Sequence, residues 1–227
     1  IKTVSIEDEF TNKKDDYNFI ICPPEQIIEN VIKCVKYGLS KGIDETKMQI
    51  LAPMYKGLNG IDNLNFFLEK IYNDTYNFSQ VKYGDKIYRV GDKVLQLIND
   101  SDNNVFNGDI GKIINISNGY DDKIKIQIDF DGNIVYLEKK DLKNITLAYA
   151  ITIHKSQGSE FEHVIMPICN GYGIMLYNKL IYTGVSRAKK SLTLIGEPSA
   201  FIRAVNNNYS KERKTSLTQF ILEYYNV

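Results

Sequence analysis

From about Tyr83 the apolar residues of this chain change period, and after residue 146 they change back. Lys123–Phe130 alternates strictly, with Ile124, Ile126, Ile128 and Phe130 on one face and Lys123, Lys125, Gln127 and Asp129 on the other. That is the two-residue repeat of a strand with one buried side. Around it lie Ile87–Ile98, interrupted at Val90-Gly91-Asp92, then Ile113–Ile116 and Ile134–Leu137. Asn107-Gly108-Asp109 and Asp131-Gly132-Asn133 supply tight turns between these runs. Four or five short strands in roughly sixty residues predict a small antiparallel barrel.

The flanking sequence has a different grammar. Tyr17–Cys22 reads as a strand, and Pro23-Pro24-Glu25 ends it and opens a helix. Ile27, Ile28, Val31, Ile32 and Val35 share one helical face, with Gly38 as the expected stop, and Met48–Ala52 is the next strand. Strand–helix–strand is the unit of a parallel sheet. A helix over Ile61–Ile71 follows. Beyond the barrel, Thr146–Ile168 reads as strand, loop, strand. Leu176–Ala188 reads as a helix, Ser191–Ile195 as a strand and Lys211–Tyr224 as a final helix. The expected organisation is therefore an α/β host, residues 1–84 and 147–227, interrupted by a small β-barrel over 85–146. Residues 1–16 read as an irregular lead-in. A start at Ile1 rather than Met suggests a piece of a longer protein.

Basic and acidic residues balance at 28 each, which excludes a strongly basic nonspecific clamp but leaves room for a local basic groove. Cys22, Cys34 and Cys169 have no metal-ligand spacing and read as thiols in a reducing, cytoplasmic compartment. No metal site is expected. No apolar run approaches a bilayer-spanning length, so no membrane partner is expected.

Two stretches carry chemistry. Ala148–Glu162, AYAITIHKSQGSEFE, puts a histidine, a lysine, hydroxyls, a glycine and an acid between apolar runs. Backbone N–H groups, hydroxyls and a cation can converge on a phosphate in such a loop. On its own, the same run describes a polar surface turn. Leu180–Glu197, LIYTGVSRAKKSLTLIGE, sets an arginine and two lysines between an apolar segment and a β-rich run. Earlier, Pro53–Asn65, PMYKGLNGIDNLN, puts Lys56 among glycines ahead of a helix, a further candidate for an anion. His163 is read as structural.

Taken together, these stretches resemble motifs V and VI of superfamily 1 helicases. Motif V of that family is similar to Thr152, His154, Gly158, Glu160 and Phe161 here; motif VI is similar to Tyr182, Gly184, Val185, Ser186, Arg187 and Ala188. HKSQGSEF and LAPMYKG look most like the RecD/TraA branch. The resemblance implies a RecA-like domain carrying an inserted SH3-like barrel. It implies that Arg187 acts catalytically on the γ-phosphate of ATP, and that Gly158 and Glu160 meet the nucleotide. It implies DNA contact by Lys56, Asn65, Thr152, His154, Lys155 and Ser156, with Asn103–Gly108 of the barrel as a candidate contact loop. Ser186 stands where many relatives have threonine and keeps the hydroxyl.

The chain has no G-x-x-x-x-G-K-[ST] loop and no acidic pair ending a strand to hold Mg²⁺. ATP and Mg²⁺ would be held mainly by a preceding RecA-like domain of the same full-length chain, and this part alone should be inactive. Single-stranded DNA is the expected partner, moved 5′ to 3′ by family resemblance, in a bacterial cell. The alternatives are a non-motor binding module, or the alpha subunit of an exodeoxyribonuclease V-type nuclease complex.

Overall fold

The computed structural model describes residues 10, 14–73, 79–118, 124–208, 216, 220–222 and 224. Strand β1 (Tyr17–Ile21) leads through a 3-10 turn started by Pro24 into α1 (Ile27–Ser40). Helix α1 buries Ile27, Val31 and Val35, the stripe expected from the spacing. It runs past Gly38, however. The stop is Gly42, whose left-handed φ of 77° closes the end while its N–H donates to Leu39 O. Then come β2 (Met48–Ala52), buried along its whole length, and α2 (Ile61–Tyr72).

The next seven strands are antiparallel: β3 (Gln80–Tyr83), β4 (Lys86–Arg89), β5 (Lys93–Gln96), β6 (Ile110–Asn118), β7 (Ile124–Phe130), β8 (Asn133–Glu138) and β9 (Ile145–Leu147). They form a five-stranded sheet in the order β8-β7-β6-β5-β9 and a two-stranded β3-β4 ribbon. Val81 and Tyr88 of the ribbon share one core with Val94, Ile113, Ile126, Ile128 and Val135 of the sheet. The antiparallel unit thus begins at Gln80, five residues before the expected boundary, because β3 pairs with β4 rather than with the host.

The host resumes with β10 (Ala150–Thr152), β11 (Phe161–Ile168), α3 (Asn178–Val185), β12 (Ala188–Gly196) and α4 (Pro198–Asn206). Its five strands are all parallel, in the order β1-β12-β11-β2-β10. Passing from β1 to β2 and from β11 to β12 moves across the sheet in opposite directions. Right-handed crossovers therefore put α1 and α2 on one face and α3 on the other, where α4 packs against α3.

Several sequence expectations need correction. Leu176–Ala188 is not one helix: Tyr177 is extended, α3 starts only at Asn178, and Ala188 already pairs with Phe161 in β12. Helix α4, with Pro198 in its first turn, was not anticipated. The helix expected at Lys211–Tyr224 lies mostly outside the described residues, as does most of the lead-in. Phe10, one of the described lead-in residues, is buried edge-on against Phe19 at 4.9 Å and Phe201 at 5.8 Å.

Host and insert meet through a buried polar junction. Lys93 of β5 donates to Glu45 O at 2.7 Å and Gln49 Oε1 at 2.9 Å. Gln49 in turn donates to Ala148 O (3.0 Å) and Tyr149 O (3.1 Å), where the chain re-enters the host. The neighbouring Asp92, fully buried, accepts from Asn73 Nδ2 and Arg89 N, both at 2.7 Å, and from Tyr149 Oη at 3.2 Å. Arg89 pairs with Glu69 of α2.

Burial lowers the Lys93 ammonium pKa to about 8, against smaller opposing pulls from Glu45 and Asp44. Between that value and the ordinary lysine value of about 10.5 the unfolded chain binds more protons. The Lys93 contribution to stability should therefore rise with pH across that window, by at most about 3 kcal/mol. The thiols of Cys22, Cys34 and Cys169 from about pH 9, and the phenols of Tyr72, Tyr88 and Tyr149 above about pH 10, all raised by burial, act with the opposite sign. The Lys93 share is therefore read as the difference between wild type and Lys93→Met. Urea midpoints at pH 7 and pH 9.5 check this, and Lys93→Met should flatten the rise. An equal slope in both proteins would rule out Lys93 as its source.

Candidate functional site

The segment from Thr152 to Phe161 is the crossover from β10 to β11. It starts at the C-terminal edge of the parallel sheet and ends at the N-terminal edge, on the face that carries α3. Thr152 Oγ1 accepts from Lys155 N at 3.1 Å and so opens a 3-10 turn over Ile153–Ser156. Ser156 Oγ donates to Ile153 O at 2.7 Å and closes it. Gln157 is extended, and Gly158 then reverses the chain at φ 88°. Nothing stands within 4 Å of where a Gly158 Cβ would be, so conformation, not crowding, asks for glycine there.

Arg187 sits at the elbow between α3 and β12, half-buried. Its Nε donates to Thr183 O (3.1 Å), Nη1 to Ser159 O (3.1 Å) and Nη2 to Ser186 Oγ (3.2 Å). The guanidinium is therefore laid across the C-terminal turn of α3 and the Gly158–Ser159 bend. Phe161 N donates to Arg187 O at 2.9 Å, which stitches the two sequence motifs together. Glu160 is exposed beside them, 3.0 Å from Lys189 Nζ. Gly158, Glu160 and Arg187 are thus neighbours at one edge. Ser159, Thr183 and Lys189 complete the group without having been singled out; the Ala-Lys-Lys after Arg187 was the available signal for Lys189.

Residues 147–195, which hold both motifs, match the family described as UvrD-like helicase C-terminal domain. Residues 64–130 match the ATP-dependent RecD-like DNA helicase SH3 domain. Over 154 residues the chain is 35% identical to the ATP-dependent RecD2 DNA helicase of Deinococcus radiodurans, covering 68% of this chain and 21% of that protein. The chain belongs to the RecD-like superfamily 1 helicases. It is 32% identical over 189 residues to the RecBCD enzyme subunit RecD of Buchnera aphidicola, covering 79% of this chain and 30% of that one. It thus spans less than a third of the length of either relative. A solved Pif1 helicase from Bacteroides, in complex with ADP-AlF3 and single-stranded DNA, superimposes with a TM-score of 0.44 at 20% identity, over 78% of this chain and 45% of that one.

The other candidate residues lie toward the opposite edge, where β2 and β10 end. Lys56 is exposed and paired with Asp62 at 2.7 Å. His154 is exposed, its Nε2 3.3 Å from Tyr177 Oη. Lys155 Nζ donates to Asn107 Oδ1 of the insert at 2.6 Å.

Three expected DNA contacts face inward instead. Asn65 is buried: its Oδ1 accepts from Ala150 N at 2.8 Å, and its Nδ2 donates to Ala150 O at 2.9 Å and Leu147 O at 3.3 Å. It is a staple from α2 to the edge strand β10. Position 65 follows Ile61 by four residues and precedes Leu68 by three, so helical spacing already put it on the buried face. The Thr152 and Ser156 side chains are likewise buried and spent on shaping the turn. All three side chains are engaged by hydrogen bonds within the chain.

Among the described residues no group of His, Cys, Asp and Glu could hold a metal ion. No helix among them is long and apolar enough to cross a membrane. Cys22 and Cys169 are buried free thiols whose pKa burial raises, and His163 bonds Ser191 Oγ through Nδ1 at 2.8 Å.

Proposed function

We propose that this chain is the C-terminal motor part of an ATP-dependent DNA helicase that moves 5′ to 3′ along single-stranded DNA and unwinds duplex. The observation that carries the reading is the Arg187 guanidinium, tethered to backbone carbonyls beside an exposed Glu160 and an open Gly158. A fixed, delocalised cation at a domain edge suits charge developing on a transferring phosphoryl group. Glu160, acceptor-only when ionised, suits a ribose hydroxyl. ATP supplies the cleavable γ-phosphoryl; Mg²⁺ and the phosphate loop belong to a preceding RecA-like domain of the full-length chain, the principal partner of this part.

Single-stranded DNA is the second partner, gripped through its phosphates by Lys56, His154 and Lys155 at the other edge. Such a grip tolerates sequence and weakens with salt. Cleft closure and opening on ATP turnover would move the strand stepwise. The division of the chain that goes with this reading is a RecA-like host interrupted by an SH3-like insert from about Gln80 to Leu147, in a bacterial cytoplasm. A second reading, the RecD-type subunit of a nuclease complex, is favoured by the RecBCD naming of several relatives.

The test is ATP hydrolysis by the full-length parent with and without single-stranded DNA, with strand displacement from 5′- and 3′-tailed duplexes. DNA-stimulated hydrolysis and displacement from the 5′ tail are expected, with no hydrolysis by the 227-residue chain alone. Hydrolysis that ignores DNA would sink the motor reading.

A further inference from the structure

The loop between β5 and β6 belongs to the insert, yet it touches the β10–β11 crossover. It is stiffly built. Asp100 and Val105 exchange backbone hydrogen bonds at 2.7 and 3.0 Å, and Val105 is buried. Asn107 N donates to Asn99 Oδ1 at 2.9 Å, Phe106 N to Asp109 Oδ2 at 2.7 Å and Gly108 N to Gln96 O at 3.0 Å. From this frame Asn107 Oδ1 takes the Lys155 ammonium.

The chemistry of that acceptor sets Lys155 apart. Lys56 is held by Asp62, Lys189 by Glu160 and Lys190 by Glu162, so each of those cations meets a carboxylate. Lys155 has no carboxylate partner among the described residues. An amide oxygen fixes the ammonium in one place without neutralising it. The rotamer freedom of a long side chain is then spent before any ligand arrives, and the full positive charge stays available.

We propose that Asn107 is a positioning residue by which the insert presets Lys155 for a phosphate of single-stranded nucleic acid. The inference rests on the DNA-motor reading but adds a contact between insert and crossover that the motifs themselves do not contain. Because the crossover continues from Lys155 to Gly158 and Glu160 within five residues, the insert has a short covalent route from its loop to the nucleotide edge.

The experiment measures binding of fluorescent dT20 to the full-length parent by anisotropy over a range of salt, with ATP hydrolysis followed in the same samples. Asn107→Ala should weaken binding roughly three- to tenfold while the melting temperature stays near wild type. Asn107→Asp keeps the hydrogen bond but neutralises the cation. It should weaken binding at least as much and reduce the salt dependence by about one phosphate contact. Lys155→Ala added to Asn107→Ala should cost little more than either alone. Binding by both Asn107 variants within about twofold of wild type, alongside a clear loss in Lys155→Ala, overturns the proposal. So does a parent that does not bind dT20. A parent that binds dT20 without DNA-stimulated hydrolysis removes the motor reading, yet the Asn107 series still decides the positioning role.

Discussion

Arg187→Ala in the full-length parent is expected to cut DNA-stimulated ATP hydrolysis by roughly 10³–10⁵, the worth of an arginine finger. ATP binding should largely survive, because the guanidinium matters most where charge accumulates in the transition state. The geometry supports an effect on rate rather than on folding. The side chain is half-buried rather than in the core, and its bonds go to Thr183 O, Ser159 O and Ser186 Oγ. Arg187→Lys is the informative companion. A lysine carries the charge but not the planar fork that spans the two carbonyls and leaves a face for the phosphate. It should stay within about tenfold of the alanine variant. Turnover near wild type in either variant would remove Arg187 from the chemistry.

The largest expected loss of stability is at Asp92. Its carboxyl gathers the Asn73 amide, the Arg89 N–H and the Tyr149 hydroxyl at the joint between host and insert. Burial raises its pKa, so it sits there at a cost that those donors offset. Asp92→Ala strands three buried or half-buried donors at once, and a loss of about 3–5 kcal/mol follows. For a chain of this size that is roughly 10 °C in melting temperature. Asp92→Asn keeps an acceptor and the volume and should lose less. Thermal unfolding followed by circular dichroism reads both, and a drop of under about 1 kcal/mol for the alanine variant would mean that water satisfies the joint.

Much of the framework was legible because apolar periodicity reports burial directly. The alternation at Ile124–Phe130 appears as β7, and the stripe Ile27–Val31–Val35 as the buried face of α1. What stayed hidden depends on partners remote in sequence. Helical spacing puts Asn65 on a buried face, but the partner of its amide, the Ala150 backbone of β10, lies eighty-five residues later. Asp92, in what read as a mere interruption, is fixed by Asn73 and Tyr149, neither of them in its own strand pair. Short elements escaped for another reason: in α4 only Ala200 and Ala204 are buried, too slight a pattern to stand out. The site divided in the same way. Arg187 and Glu160 were readable from motif wording, whereas the inward turn of Thr152 and Ser156 follows from a 3-10 geometry that the wording does not encode.

Tyr72 and Tyr149 lie stacked within 3° of parallel, with ring centres 5.3 Å apart. One closes the last turn of α2 and the other leads into β10, so the seventy-odd residues between them leave and return through a single gate. A graft with its two feet side by side leaves the strand order of its stock unchanged, and its length is free to vary. Its orientation is not free: Lys93 and Asp92 fit their acceptors and donors the way a key fits wards. A transplanted barrel from another chain would close the gate at any length, but without that key it would swing.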